Sequence, residues 1–137
     1  MHWILAIHVF LSFYMTGVIW FVQIVHYPLM GKVGPERFKE YEKSHTWLTT
    51  WVVAPQMVVE LGTGIWLWLL DFYNPGHWIN VALLGVIWLS TFLLQSPTHM
   101  KLITEFKPAW HQKLVRTNWI RTVAWTVRSL ILIWLLL

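Results

Sequence analysis

The stretch "WFVQIVHYPLM", residues 20–30, ends a long apolar run and places polar side chains in its last turns. These are Gln23, His26 and Tyr27, followed at once by Pro28. The chain around them has 137 residues, of which 57% are hydrophobic and only 12% are charged. A soluble domain of this size could not keep so much apolar surface away from water. The composition therefore predicts a single membrane domain.

Four apolar stretches are long enough to cross a bilayer, which takes about 20 helical residues. They lie near residues 3–27, 45–70, 78–96 and 112–137. The first has no basic residue before it and no small-residue cleavage site after it, so we expect a retained helix rather than a signal peptide. Twelve tryptophans suit bilayer interfaces, and the absence of cysteine excludes disulfides and thiolate chemistry.

The basic residues predict how the chain crosses the membrane. Eight of them lie in or beside the connections between helices one and two and between helices three and four: Lys32, Arg37, Lys39, Lys43, Lys101, Lys107, Lys113 and Arg116. The remaining connection, "DFYNPGHW" at residues 71–78, has none. The positive-inside rule then places both basic connections in the cytoplasm and both termini outside it. We expect an integral protein of a bacterial inner membrane, and the net charge of +4 does not indicate nucleic-acid binding.

Each predicted helix carries its polar residues on one face, given the spacing of a helix that turns about 100° per residue. The stripes are His8, Ser12, Gln23, His26 and Tyr27; His45, Thr49, Gln56, Glu60 and Thr63; Thr91, Gln95 and His99; and Asn118, Arg121, Thr122, Trp125 and Ser129, with Arg128 at the edge. Lipid cannot satisfy polar groups, so the stripes must face one another. The predicted fold is therefore all-α: an integral membrane, antiparallel four-helix bundle with a polar interior.

Three histidines fall at one predicted depth, near the cytoplasmic end of the interior. His26 ends helix one, His45 begins helix two and His99 follows helix three. Imidazoles bind iron, copper and zinc, so these three are candidate ligands of a transition metal or of haem. Interfacial histidines that bond backbone, water or lipid headgroups are the alternative interpretation. Gln23, Gln95 and Asn118 are expected about one turn deeper, where they would orient ligands or substrate.

Glu60 lies fifteen residues after His45, roughly 22 Å further along a helix axis. A carboxylate inside a membrane is usually paired, and Arg121 and Arg128 bracket a similar depth. We expect Glu60 to meet one of these arginines. Glu60 and Arg121 are candidate catalytic residues that tune charge or carry protons. The alternative is a structural pair that fixes helix register.

The segments "QSPTHMKL" (residues 95–102) and "LVRTNWIRTVAWTVRSL" (residues 114–130) resemble the small four-helix membrane proteins of the DUF1772 or anthrone-oxygenase-like group. In that group a Pro-Asn motif ends helix three and an Asn-x-x-Arg motif opens helix four. Pro97, Asn118 and Arg121 match these motifs, and His99 stands where asparagine is usual. The resemblance implies oxygenation of a lipophilic aromatic compound. More remotely, His8 and the "HYP" of residues 26–28 are similar to a pattern of HemJ-type membrane haem proteins.

These features predict a membrane oxidoreductase that depends on a metal or on haem. Its site would open to the cytoplasmic leaflet and take a lipophilic small molecule from the bilayer. Two alternatives remain open at the level of sequence. One is a non-enzymatic accessory subunit of a larger membrane complex, and the other is a proton-coupled carrier that uses Glu60 and the histidines as a relay. The partners expected are the lipid bilayer and either further copies of the chain in a homo-oligomer or the other subunits of such a complex.

The predicted topology can be tested by cysteine labelling of intact cells, because the native chain has no cysteine. Lys39→Cys and Lys107→Cys should be shielded from an impermeant reagent added outside, whereas Asn74→Cys should react. Labelling of Lys39→Cys from outside would reverse the orientation and move the histidine layer to the other leaflet.

Overall fold

The structure is a computed structural model that describes residues 2–136, and these residues form four long helices with no strand among them. Helix α1 comprises His2–Phe21, a π-helical turn at Val22–His26 and a last turn at Tyr27–Met30. Helix α2 spans Pro35–Leu70. Helix α3 comprises Pro75–Ser90, a π-helical turn at Thr91–Gln95 and Ser96–Thr104. Helix α4 spans Pro108–Leu136.

Proline opens three of these helices, at Pro35, Pro75 and Pro108. The first helical position suits proline because its missing N–H would have no intrahelical acceptor there. Before Pro35, Gly34 has a φ of 84°, a left-handed conformation that glycine adopts without strain. Before Pro75, the side chain of Asn74 accepts a hydrogen bond from the backbone N–H of Gly76 at 2.9 Å and caps α3. Local sequence thus fixes where these helices begin.

The helices differ in extent from the apolar stretches that predicted them. Helix α2 begins at Pro35 rather than near His45, so the predicted connection at 28–44 is mostly helical. The first turns of α2 expose charged side chains and bury Phe38 and Glu42. An average hydropathy over this segment does not reveal that it has a buried face. Likewise α3 continues beyond residue 96 to Thr104, and α4 begins at 108, so that His111 is helical.

Two of the prolines inside helices are preceded by π-helical turns. The turn at Val22–His26 ends two residues before Pro28, and the turn at Thr91–Gln95 ends two residues before Pro97. Proline lacks an N–H and its ring crowds the carbonyl of the preceding turn, so a wider turn relieves both problems. Helix α2 instead continues through Pro55.

Side-chain contacts show which helices are neighbours and at which level. Between α1 and α2, His8 contacts Thr63, Ser12 contacts Glu60 and His26 stacks on His45, so residue numbers rise along one helix as they fall along the other. The same relation holds between α3 and α4. There Arg121 bonds Thr91 and Gln95 bonds Thr117.

Within residues 2–136, all four helices are long and apolar enough to cross a membrane. Large apolar side chains cover the outer surface, with Trp3 and Phe10 each 67% exposed and Leu93 68% exposed. The interior instead holds fully buried polar groups such as Ser12, Glu60 and Arg128. This distribution is the reverse of the usual one for a soluble domain.

The most buried ion pair joins Glu60 of α2 to Arg128 of α4. Arg128 Nη1 donates to Glu60 Oε1 at 2.6 Å, and the hydroxyl of Ser12 donates to the same oxygen at 2.8 Å. The second oxygen accepts from the indole N–H of Trp125 at 3.1 Å, and Arg128 Nη2 donates to Asn80 Oδ1 at 3.1 Å. Side chains from all four helices therefore meet at one carboxylate and one guanidinium.

His8 completes this network and explains one glycine. Its Nδ1 lies 2.9 Å from the hydroxyl of Thr63, and its ring packs on Gly64. A Cβ at Gly64 would lie 2.9 Å from His8 Cε1, which is closer than real contacts allow. A glycine at this point of α2 therefore lets the imidazole lie against the helix backbone.

The Glu60–Arg128 pair can be tested by a double-mutant cycle on the free energy of unfolding in detergent. Glu60→Gln and Arg128→Met should each cost about 3–5 kcal/mol, because each leaves the partner charge buried and uncompensated. The double variant should recover most of that loss, whereas the exposed Glu36→Gln should change little. Additive losses in the double variant would show that the two charges do not stabilise each other.

Candidate functional site

The three histidines predicted at one depth lie together near one end of the bundle. His26 comes from the π-helical turn of α1, His45 from α2 and His99 from the last part of α3. The ring centroids of His26 and His45 are 4.3 Å apart, and those of His45 and His99 are 5.6 Å apart. Three helices thus deliver three imidazoles to one layer.

A buried carboxylate that was not among the site residues predicted from the sequence also belongs to this layer. Glu42 of α2 is fully buried, and its Oε1 accepts a hydrogen bond from His99 Nδ1. Because a carboxylate only accepts, this contact places the ring proton of His99 on Nδ1. Glu42 precedes His45 by three residues on the same helical face, so extending the predicted helix back to Pro35 would have revealed it.

The other ring nitrogen of His99 faces a phenol. His99 Nε2 lies 3.2 Å from the hydroxyl of Tyr27, which is 1% exposed, and a neutral ring with its proton on Nδ1 accepts from that hydroxyl. Glu42, His99 and Tyr27 therefore form one hydrogen-bonded chain across α2, α3 and α1. The carboxylate orients the imidazole, and the imidazole orients the phenol.

His26 and His45 form the more open part of the layer. His45 Nδ1 is 3.0 Å from the hydroxyl of Thr49, and the His45 ring is nearly parallel to that of Tyr41, at 7°. His26 Nε2 is buried and has no hydrogen-bond partner among the described residues, and the same holds for Glu42 Oε2. These two atoms have unused capacity to bind a ligand.

The three predicted amides do not contact the imidazoles. Gln23 Oε1 accepts from Asn118 Nδ2 at 2.8 Å, and Asn118 Oδ1 accepts from Arg121 Nε at 3.0 Å. Gln95 lies apart from this chain and donates to the hydroxyl of Thr117 at 2.8 Å. The amides thus bond residues of α4, including Arg121 through Asn118. Among residues 2–136, none of their side-chain hydrogen bonds is to a histidine of the layer.

The two candidate catalytic residues lie in different layers. Glu60 pairs with Arg128, whereas Arg121 bonds Asn118 and Thr91. Buried apolar side chains lie between the Glu60 network and the histidines: Met15, Ile19, Met57, Ile87 and Ala124, with Trp125 packed against them while its indole N–H bonds Glu60. Glu60 is therefore part of a second polar centre, and it is not a member of the histidine layer.

An apolar cleft opens between α1 and α2 beside the histidine layer. It has a volume of about 440 Å³. The lining residues are Gly17, Val18, Phe21, Val22, His26, His45, Leu48, Thr49, Val52 and Val53. The cleft is open toward the outer surface of the bundle, and its walls are apolar apart from His26, His45 and Thr49.

The described residues contain no group of three His, Asp or Glu side chains that is already arranged around one metal position. The donors that could contribute are nevertheless close together: His26 Nε2 and Glu42 Oε2, which lack partners, and the two remaining imidazoles. Carboxylate–histidine pairs such as Glu42–His99 are the usual support of metal-binding imidazoles.

Comparisons of the chain with protein-family models, with curated proteins and with solved structures gave no match. The inference of function therefore rests on the geometry of the two polar centres and of the cleft.

The orientation of His99 can be tested by ¹⁵N NMR of the histidine-labelled protein. His99 should show a protonated Nδ1 and an unprotonated, accepting Nε2, because the Glu42 carboxylate holds the proton on the Nδ1 side. Glu42→Leu should remove this tautomer preference because it leaves no acceptor for Nδ1–H, whereas Glu40→Leu, exposed on the same helix, should leave it intact. A His99 spectrum that is the same in wild type and Glu42→Leu would contradict the assigned contact.

Proposed function

We propose that the chain is an integral membrane protein whose four helices form an antiparallel bundle with a polar interior and with both termini outside the cytoplasm. The exposed apolar side chains on all sides support insertion in lipid, since water would not tolerate them. The opposed residue numbering of neighbouring helices supports the antiparallel arrangement. The two connections rich in lysine and arginine support the orientation, which places the histidine layer near the cytoplasmic leaflet.

We further propose that the protein is a metal-dependent oxidoreductase that acts on a lipophilic substrate taken from that leaflet. One observation carries this proposal: three imidazoles and a carboxylate from three helices lie in one layer at the side of an apolar cleft. His26, His45 and His99 would hold the ion, and Glu42 would orient His99 and increase its basicity.

A single metal ion fits this layer better than haem does. The imidazole rings are in contact with one another, at 4.3 and 5.6 Å between centroids, so two of them cannot lie on opposite faces of a porphyrin without moving apart. Imidazole donors suit iron and copper, and both metals supply the electron transfer that zinc lacks. The bound ion would supply the redox chemistry.

The residues of the chain would handle the proton and the substrate. With His99 Nε2 on the ion, the Tyr27 phenol, which bonds that nitrogen in the structure, would donate its proton to the substrate instead, and Glu42 would hold the proton of His99 Nδ1. The cleft would admit the substrate sideways from the bilayer and keep water away from the reacting group.

The apolar layer speaks against the carrier hypothesis. A proton relay across the membrane would have to join the histidine layer to Glu60, but buried apolar side chains such as Met15, Met57 and Ile87 lie between them. Glu60 forms its side-chain hydrogen bonds with Ser12, Trp125 and Arg128, which belong to its own network and not to the histidine layer. Glu60 and Arg128 are therefore assigned to the stability of the bundle.

The proposed metal site can be tested by metal analysis and absorption spectroscopy of the purified protein. Wild type should hold one iron or copper ion per chain, and His26→Ala, His45→Ala and His99→Ala should each lose it, because each removes one donor from a shared site. Glu42→Gln should weaken binding by about 10–100-fold, as loss of an outer partner does.

His77→Ala is the matched control, since His77 lies at the other end of the bundle near Asp71. It should retain the ion. Full metal occupancy in all three layer variants would end the metal proposal, and so would a wild type that binds no metal. A Soret absorption band that is present in wild type and lost in these variants would show that the cofactor is haem and not a single metal ion.

A further inference from the structure

A shallow apolar groove lies on the outer surface of the bundle where α4 packs beside α3, and we call it the α4 groove. Its volume is about 430 Å³. Its lining residues include Leu83 and Val86 of α3 and Trp119, Ile120, Val123 and Val127 of α4. Ile120 and Val123 are 42% and 55% exposed, so no other part of residues 2–136 covers them.

Two cations continue the line of this groove toward the end of the bundle that holds the histidine layer. Lys113, Arg116, Ile120, Val123 and Val127 follow one another at intervals of three or four residues, so they lie on one face of α4. Lys113 and Arg116 are both exposed, and within residues 2–136 neither forms an ion pair. This face of α4 is therefore cationic at one end and apolar beyond it.

The length of α4 places the two cations at the edge of a bilayer. The segment from Thr117 to Leu136 rises about 30 Å at 1.5 Å per residue, which is the thickness of a hydrocarbon core. Arg116 then lies where the hydrocarbon ends, and Lys113, about 4.5 Å further along the axis, lies among the headgroups. The α4 groove begins at Trp119, at the level of the acyl chains.

The charge at this end of the bundle is uneven, and the excess of positive charge lies beside α4. Residues 28–44 hold four basic and three acidic residues, so their charges nearly cancel. Residues 97–116 also hold four basic residues, but their only acid is Glu105, which pairs with Lys107 at 2.9 Å. The sequence of α4 contains no aspartate or glutamate. An anionic group beside α4 therefore finds free cations and no carboxylate on the same face.

We propose that the α4 groove and the two cations at its end bind an anionic phospholipid of the cytoplasmic leaflet, such as phosphatidylglycerol. Lys113 and Arg116 would bind its phosphate, and one acyl chain would lie along Ile120, Val123 and Val127. A free anion would leave the groove empty, and a lipid without net charge would leave the cations uncompensated. The inference uses the proposed insertion in a bilayer, but it needs neither the metal nor the oxidoreductase activity.

The headgroup part can be tested by native mass spectrometry of the purified full-length protein in detergent, titrated with phosphatidylglycerol or with phosphatidylcholine of the same acyl chains. The first phosphatidylglycerol should bind about 25-fold more tightly, from about fivefold for each cation near a membrane surface. Lys113→Gln/Arg116→Gln should remove this preference. The matched control, Lys39→Gln/Lys43→Gln, removes two exposed charges at the same end of the bundle and should retain it.

The acyl part can be tested with a phosphatidylglycerol that carries a photoreactive diazirine in one chain. In wild type it should crosslink to peptides that contain residues 83–86 or 119–127. Val123→Trp fills the groove at a side chain that is 55% exposed, so it should abolish these crosslinks without disturbing the fold. Val58→Trp makes the same change at a 58% exposed residue of α2 outside the groove, and it should leave the crosslinks in place.

Four results would overturn the inference. Equal affinity for the two lipids would show that charge does not select the ligand, and an equal loss in both double variants would show a general attraction of the basic end. Crosslinks that survive Val123→Trp would place the acyl chain elsewhere. A dimer that is indifferent to phosphatidylglycerol and that Val123→Trp dissociates would assign the groove to a second copy of the chain. Lipid binding and metal content are measured separately, so either proposal can fail while the other holds.

Discussion

The buried contact between Glu60 and Arg128 is the interaction on which the rest of the bundle depends. A carboxylate and a guanidinium that are both fully buried are tolerated only if each is paired and hydrogen-bonded, and here all four helices contribute to that condition. Ser12, Trp125 and Asn80 reach the pair only at one rotation and one depth of their helices. The pair thus sets the register, and the register brings the histidines level with one another at the other end.

The two polar centres differ in how their ionisable groups are paired. Both carboxylate oxygens of Glu60 have partners, and the unpaired atom of that network is the side-chain Nδ2 of Asn80, whereas the histidine layer leaves a ring nitrogen of His26 and a carboxylate oxygen of Glu42 without a partner. A paired carboxylate and guanidinium make a structure rigid, and an unpaired nitrogen and carboxylate oxygen close together leave capacity for a ligand. The layer of Met15, Met57 and their neighbours keeps the two centres chemically independent.

Sequence periodicity predicted four apolar helices and placed His26, His45 and His99 at one depth. That placement used only the ends of the apolar stretches, and all three ends lie at the same end of the bundle although the helices themselves continue past them. Periodicity did not identify Glu42, which lies in a charged segment that hydropathy excludes from a span although Pro35 begins the helix before it. It also did not choose between Arg121 and Arg128 for Glu60. That choice depends on helix rotation, to which the π-helical turns and packing contribute and which periodicity alone does not specify.

The two π-helical turns have a consequence for how the chain tolerates changes in length. A π turn holds one residue more than an α turn, so everything after it is rotated by about 100° relative to a regular helix. His26 and Tyr27 lie at the end of one such turn, and His99 lies beyond the other. A single-residue deletion within either turn would restore an ordinary helix and rotate these rings out of the layer without altering any of them. Which side chains reach the layer therefore depends on the number of residues in each π-helical turn as well as on the identity of those residues.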